Sequence, residues 1–93
     1  MRNYEVVLIL HPDLDENALK GVLDRVQAWI TEAGGAVDKL DMWGKRRMAF
    51  KIRKQREGHY VYIETQFAPA FSAVLERNLR FLESVMRFSV ISK

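Results

Sequence analysis

The hydrophobic pattern of this chain switches between strand and helix periods in an order that few folds allow. Tyr4–Leu10 is aliphatic and rich in β-branched residues, and Pro12 then interrupts it, as happens where a strand ends. Asp15 lies where a helix N-cap is expected, and apolar residues at helical spacing follow it as far as Gly34-Gly35. The first third of the chain therefore predicts one strand followed by a helix of about five turns.

The rest of the chain predicts two long strands, a second helix and a final strand. Ala36–Ile52 and His59–Phe67 are typical of strands joined by a basic turn, and Gly44 indicates a bulge or bend in the first of them. Pro69 opens the second helix, and Val85–Ile91 forms the last strand. The order β-α-β-β-α-β is that of the ferredoxin-like split βαβ fold. We expect one α+β domain over residues 1–93, with both helices on one face of a four-stranded antiparallel sheet.

Side chains alternate between the two faces of a strand, so the period assigns each strand residue to a face. The residues predicted to face the helices are Val6, Leu8, Met48, Phe50, Ile52, Val61, Ile63, Phe88 and Val90. The residues predicted on the opposite, open face are Glu5, Val7, Ile9, Arg47, Lys51, Tyr60, Tyr62, Glu64, Arg87 and Ser89. Because this second set is half apolar or aromatic and no helix covers it, it predicts a surface that binds a partner.

Basic residues are concentrated in one segment of a chain whose net charge is only +3. Lys45–Arg56 holds seven of the fifteen Lys and Arg residues and no acid, so the remainder carries eight basic and twelve acidic residues. A basic segment on a mildly acidic body is typical of polyanion binding. The alternative is that these cations only keep an edge strand soluble, although acids would serve that purpose equally well.

The sequence lacks the parts that an enzyme would need. His11 and His59 have no metal-ligand spacing, there is no cysteine, and Gly34-Gly35 precedes a predicted strand, whereas a phosphate-binding glycine loop precedes a helix. We therefore expect no catalysis, no cofactor, no metal and no small-molecule substrate. The longest apolar run, Val6–Leu10, is too short for a membrane span, so a cytoplasmic protein without membrane contact is expected.

Three segments carry a resemblance to a known family. They are Met1–Glu5, the turn His11–Asp15, and above all Trp43–Ile52, with its glycine, basic residues, apolar-alanine-aromatic triplet and isoleucine. In these segments the chain resembles the bacterial ribosomal protein S6 family over essentially its whole length. Met48 and Phe50 stand where leucine and tyrosine are usual, and both changes keep apolar volume.

The resemblance implies a structural protein of the small ribosomal subunit that binds the central domain of the small-subunit ribosomal RNA together with ribosomal protein S18. The RNA contacts that it implies are Arg2, Tyr4, Arg46, Arg47, Lys54, Arg80 and Arg87. The residues expected to bind the protein partner on the open face are Glu5, Val7, Ile9, Tyr60, Tyr62 and Glu64. Many family members have a tail beyond the last strand that helps to hold the partner, and this chain ends at Lys93. The partner contact is therefore expected to depend on the folded domain.

Two other classes of function are compatible with this fold. A ferredoxin-like enzyme or sensor, such as an acylphosphatase-like or amino-acid-sensing module, requires a first loop that grips a ligand. Here that loop, His11–Asp15, is acidic and stiffened by proline. A self-associating structural module would use the same open face. Its size in solution, measured with and without RNA, would distinguish it from an RNA-binding protein.

Overall fold

The computed structural model describes all 93 residues and has the predicted order of elements. The elements are β1 (Arg2–Leu10), α1 (Glu16–Glu32), β2 (Ala36–Ile52), β3 (Gln55–Phe67), α2 (Pro69–Arg80) and β4 (Val85–Ser92). All strand pairs are antiparallel, and the sheet order is β2-β3-β1-β4, so β2 and β4 are the two edges. The predicted ferredoxin-like α+β fold is confirmed.

Local signals account for the ends of both helices. The Asp15 carboxylate accepts a hydrogen bond from the Ala18 backbone N–H at 2.8 Å, which satisfies one of the free donors at the start of α1. The chain leaves α1 through Gly34, whose φ of 85° is readily adopted only by glycine. Pro69 occupies the first turn of α2, where its missing N–H is not needed.

The two central strands bury every second residue against the helices, as predicted. The buried strand residues on this side are Tyr4, Val6, Leu8, Leu10, Val61, Ile63, Thr65, Phe67 and Val85. The helices contribute Leu19, Leu23, Val26, Ile30, Leu75 and Leu79. Phe88 and Val90 are half-buried and pack against this core. The predicted faces of β1, β3 and β4 are therefore confirmed.

The predicted face of Phe50 is wrong, because β2 leaves the regular ladder after Arg47. Arg47 pairs with Glu57 and the next pair is Ile52 with Gln55, so β2 advances five residues while β3 advances two. A bulge of this size breaks the alternation of faces. Met48 is buried but lies outside the core cluster that faces the helices, and Phe50 is 63% exposed. Arg47, predicted on the open face, pairs with Glu57, which has the parity of the helix-facing residues of β3, because the extra residue in β2 before Gly44 shifts the alternation. The period-two rule fails in this segment because it assumes an unbroken ladder.

Candidate nucleic-acid interface

Six predicted partner-binding residues form one block on the open face. They are three directly opposed pairs of β1 and β3, Glu5 with Glu64, Val7 with Tyr62 and Ile9 with Tyr60. All six are half-exposed, and both helices lie on the other side of the sheet. We call this block the open-face patch. The acidic pair lies at one end of the patch, and the two pairs that each combine an aliphatic residue with a tyrosine follow it along the strands.

The acidic pair of the open-face patch shares one cation. Carboxylates directly opposite each other in a sheet repel, and Lys93 Nζ offsets this by lying 2.9 Å from Glu64 Oε1 and 3.4 Å from Glu5 Oε1. The hydrogen bond from Lys93 lowers the pKa of Glu64, and the same bond raises the pKa of Lys93. Burial of its hydroxyl, and then its hydrogen bond to Glu5, raises the pKa of Tyr62. The lowered pKa of Glu64 keeps that carboxylate anionic at neutral pH, and the raised pKa of Tyr62 keeps its phenol neutral.

Trp43 extends the open-face patch onto β2. The pairing of β2 with β3 shifts between Met42 and Gly44, and Trp43 is the additional, unpaired residue of β2 at this shift. Gly44 has a φ of 87°, so the bulge or bend predicted at this glycine is confirmed. The Trp43 ring stacks on Tyr62 with centroids 5.5 Å apart and planes 5° apart. The Arg46 guanidinium lies 5.5 Å from the centre of the Trp43 ring, within cation–π range. Arg46, Trp43 and Tyr62 thus form a continuous stack that ends in a cation.

The hairpin of β2 and β3 places further cations beside β4. Arg47, Lys51 and Arg56 line one shallow cavity together with Met48, Ala49 and Phe50, and no acidic residue lines it. The Phe50 ring lies 5.8 Å from the Arg87 guanidinium carbon of β4. The exposed hairpin cations Arg46, Arg47, Lys51, Lys54 and Arg56, together with Arg87, form a group that we call the basic end.

Comparison with known proteins gives the family. A family model described as Ribosomal protein S6 matches residues 3–92. The chain belongs to the ribosomal protein S6 family. It is 44% identical over 90 residues to the small ribosomal subunit protein bS6 of Moorella thermoacetica, covering 97% of this chain and 92% of that one. It is 47% identical over 91 residues to the bS6 protein of Salinispora arenicola, covering 98% and 95% of the two chains.

A solved structure of an S6 protein has the same fold. The crystal structure of ribosomal protein S6 from Thermotoga maritima superimposes with a TM-score of 0.93 at 28% sequence identity, covering 99% of this chain and 87% of that one. S6 proteins are structural proteins of the small ribosomal subunit, so the predictions of a ribosome-associated cytoplasmic location and of no enzymatic activity are confirmed by family membership. Neither helix is long and apolar enough to cross a membrane.

Six of the seven RNA contacts implied by the S6 resemblance lie in three regions, at the basic end, on α2 and at the start of β1. Arg46, Arg47, Lys54 and Arg87 are exposed members of the basic end. Arg80 is exposed on α2, and its guanidinium lies 5.9 Å from the Phe88 ring, so Arg80 and Arg87 lie on opposite sides of the edge strand β4. Arg2 lies at the other end of β1, seven residues from Ile9, the partner of Arg87 in the ladder. At about 3.3 Å per strand residue this separation is roughly 23 Å.

Tyr4 lies in the core. It is 5% exposed, and its ring stacks on Phe67 with centroids 4.1 Å apart and planes 7° apart. A ring in this position is not free to stack on a nucleotide base. The Tyr4 ring therefore belongs to the core and not to the exposed surface. The alternation of β1 signals this position, because Tyr4 has the same parity as the core residue Val6.

Proposed function

We propose that residues 1–93 form one RNA-binding domain that binds the central domain of the small-subunit ribosomal RNA together with ribosomal protein S18. In this proposal S18 covers the open-face patch, and the basic end contacts phosphates at the border of the complex. The observation that carries the proposal is the separation of charge on the open face. The acids Glu5 and Glu64 lie at one end of the patch, and the cations of the hairpin and β4 lie at the other.

The composition of the open-face patch supports a protein partner there. Phosphates would be repelled by Glu5 and Glu64, and Val7 and Ile9 offer apolar area that an RNA backbone cannot cover. A basic protein would bury the apolar area and pair with the two carboxylates. Tyr62 and the stacked Trp43 add the amphipathic aromatic area that is enriched in protein interfaces.

The basic end supports RNA contact. Its arginines offer the planar fork of donors that matches phosphate oxygens, and no acidic residue lines the cavity formed by Arg47, Lys51 and Arg56. Phe50 is exposed beside Arg87 and Trp43 beside Arg46, so each of these arginines adjoins an aromatic face. Aromatic and guanidinium planes are the groups on which unpaired RNA bases stack.

A titration tests the proposal. Labelled central-domain RNA is titrated with this protein, with and without S18, and the expected coupling of RNA and S18 affinities is about 1 to 3 kcal/mol, or roughly 5- to 150-fold. Val7→Asp should abolish most of the coupling, because it buries an unpaired charge in the partner interface. Ala73→Asp, which adds the same charge on an exposed position of α2, is the matched control and should retain the coupling.

Two results would contradict the composite surface. The first is equal RNA affinity in the presence and absence of S18. The second is a folded Val7→Asp variant that retains full coupling. A protein that forms dimers without RNA, and loses them in Val7→Asp, would instead show that a second copy of this chain binds the patch.

A further inference from the structure

The turn that joins β2 to β3 has an unfavourable backbone. Arg53 and Lys54 have φ values of 52° and 66°, and these two residues alone separate the paired Ile52 and Gln55. Two-residue hairpin turns with both φ angles positive favour asparagine and glycine, and here they hold an arginine and a lysine. Contacts made outside the turn must therefore help to maintain this conformation.

The Arg53 side chain makes such a contact. Its Nη1 donates to the Glu83 carbonyl oxygen at 2.6 Å, and its Nη2 donates to the Val85 carbonyl oxygen at 3.2 Å. These carbonyls lie where the chain leaves α2 and enters β4. Since β2 and β4 are opposite edges of the sheet, the Arg53 guanidinium ties the tip of one edge hairpin to the start of the other edge.

Two further contacts show that the hairpin lies close across the end of the sheet. The Phe50 ring lies beside the Arg87 guanidinium. Gly58 approaches β1 and β4 so closely that a Cβ atom there would be 2.5 Å from Ile9 Cγ2 and 3.1 Å from Met86 Cε. The pairing of β2 with β3 is interrupted between Arg47 and Ile52, so it does not fix the distance from the hairpin cations to Arg87. That distance depends on how the hairpin packs against β1 and β4.

We infer that Arg53 is a positioning residue that holds the basic hairpin against the start of β4 and thereby places the hairpin cations relative to Arg87. Both end nitrogens of its guanidinium, Nη1 and Nη2, donate to backbone carbonyls, so we assign Arg53 a role through its neighbours. A preorganised set of cations binds a fixed array of phosphates more tightly than a mobile set, because less ordering is needed on binding. This last step rests on the proposed function.

A matched pair of variants tests the anchor in the free protein. Arg53→Gly and Lys54→Gly each remove one positive charge from the same turn and each place glycine at a positive φ, but only the first removes the guanidinium contact. Arg53→Gly should lower hydrogen-exchange protection of the hairpin amides by about 10-fold or more, as expected for loss of charge-assisted hydrogen bonds. It should also abolish nuclear Overhauser contacts between Phe50 and Arg87.

Lys54→Gly should retain both the protection and the Phe50–Arg87 contacts. Arg53→Lys, which can reach one carbonyl but cannot fork between two, should be intermediate. Equal protection of the hairpin in Arg53→Gly and Lys54→Gly would overturn the anchoring role. Cooperative thermal unfolding of each variant shows that the comparison is made between folded proteins.

The same variants test the effect on RNA. With S18 present, Arg53→Gly should weaken binding to central-domain RNA by about 10-fold, and Arg53→Lys, which keeps the positive charge but cannot fork between two carbonyls, should also weaken it, by a smaller factor. RNA binding by Arg53→Lys that equals that of the unchanged protein would show that Arg53 contributes only its charge and would overturn its positioning role. No RNA binding by the unchanged protein would refute the proposed function and the RNA part of this inference, while the exchange measurement would still decide whether Arg53 anchors the hairpin.

Discussion

Phe50 and Phe67 have the same side chain in strands of the same sheet, and they provide a direct test of the bulge in β2. Phe67 is fully buried, with its ring 4.1 Å from Tyr4 and 5.3 Å from Phe71. Phe67→Ala removes a core aromatic and leaves a cavity between two rings. We expect it to lower the free energy of unfolding by about 3 to 5 kcal/mol.

Phe50→Ala should have a much smaller effect. Since Phe50 is 63% exposed, only about a third of the residue is removed from water. A third of the roughly 1.5 to 3 kcal/mol for full burial is about 0.5 to 1 kcal/mol. Loss of the contact with Arg87 adds about 0.5 to 1 kcal/mol at an exposed site. The expected total is about 1 to 2 kcal/mol, well below the effect at Phe67.

Urea denaturation followed by circular dichroism measures both variants. The two variants should share the m-value of the unchanged protein, so that the difference in midpoint reports stability alone. A loss of more than about 3 kcal/mol in Phe50→Ala would refute the bulge, because that magnitude requires burial in the core. A loss below about 1 kcal/mol in Phe67→Ala would refute the packing of β3 against the helices.

Three further predictions use other parts of the molecule. If the basic end neutralises about three to five phosphates, the logarithm of RNA affinity should fall with the logarithm of salt concentration at a slope of about −2 to −4.5. Lys20→Ala on α1 should leave that slope unchanged, and an RNA affinity that is independent of salt would contradict the basic end as a phosphate-binding surface. Lys93 lowers the pKa of Glu64 below its value in the unfolded chain, so this pair stabilises the fold above the unfolded pKa and ceases to do so as pH falls through the folded pKa. Lys93→Ala should therefore raise the titration midpoint of Glu64 measured by NMR. The stability difference between Lys93→Ala and the unchanged protein should vanish at acid pH. Gly58→Ala should lower the free energy of unfolding by about 1 to 3 kcal/mol, because the added Cβ would collide with Ile9. Gly21→Ala, with open space around it in α1, should raise the free energy of unfolding by about 0.5 to 1 kcal/mol. A Gly58→Ala variant as stable as the unchanged protein in denaturant unfolding would contradict the close approach of the hairpin.

Much of the site could be predicted from the sequence because its strands are regular. Alternation in β1 and β3 placed Val7, Ile9, Tyr60 and Tyr62 on the open face, and the ladder shows that they are direct neighbours. The same rule indicates that Tyr4 is a core residue, whereas the implied RNA contact came only from the family resemblance. The burial of Tyr4 follows from its parity with Val6.

Local sequence signals were sufficient to predict the order of elements, the helix ends and the two faces of the central strands. These depend on residue spacing, caps and glycine conformations, which are local properties. Three features depend on long-range contacts and became visible only in the folded structure: the exposure of Phe50, the stack of Trp43 on Tyr62, and the two hydrogen bonds from Arg53 to residues 30 and 32 positions later. A bulge shifts the strand register by whole residues, so the period-two pattern no longer assigns the residues that follow it to a face. Every residue has a backbone carbonyl, so the sequence does not indicate which carbonyls accept hydrogen bonds from the Arg53 guanidinium.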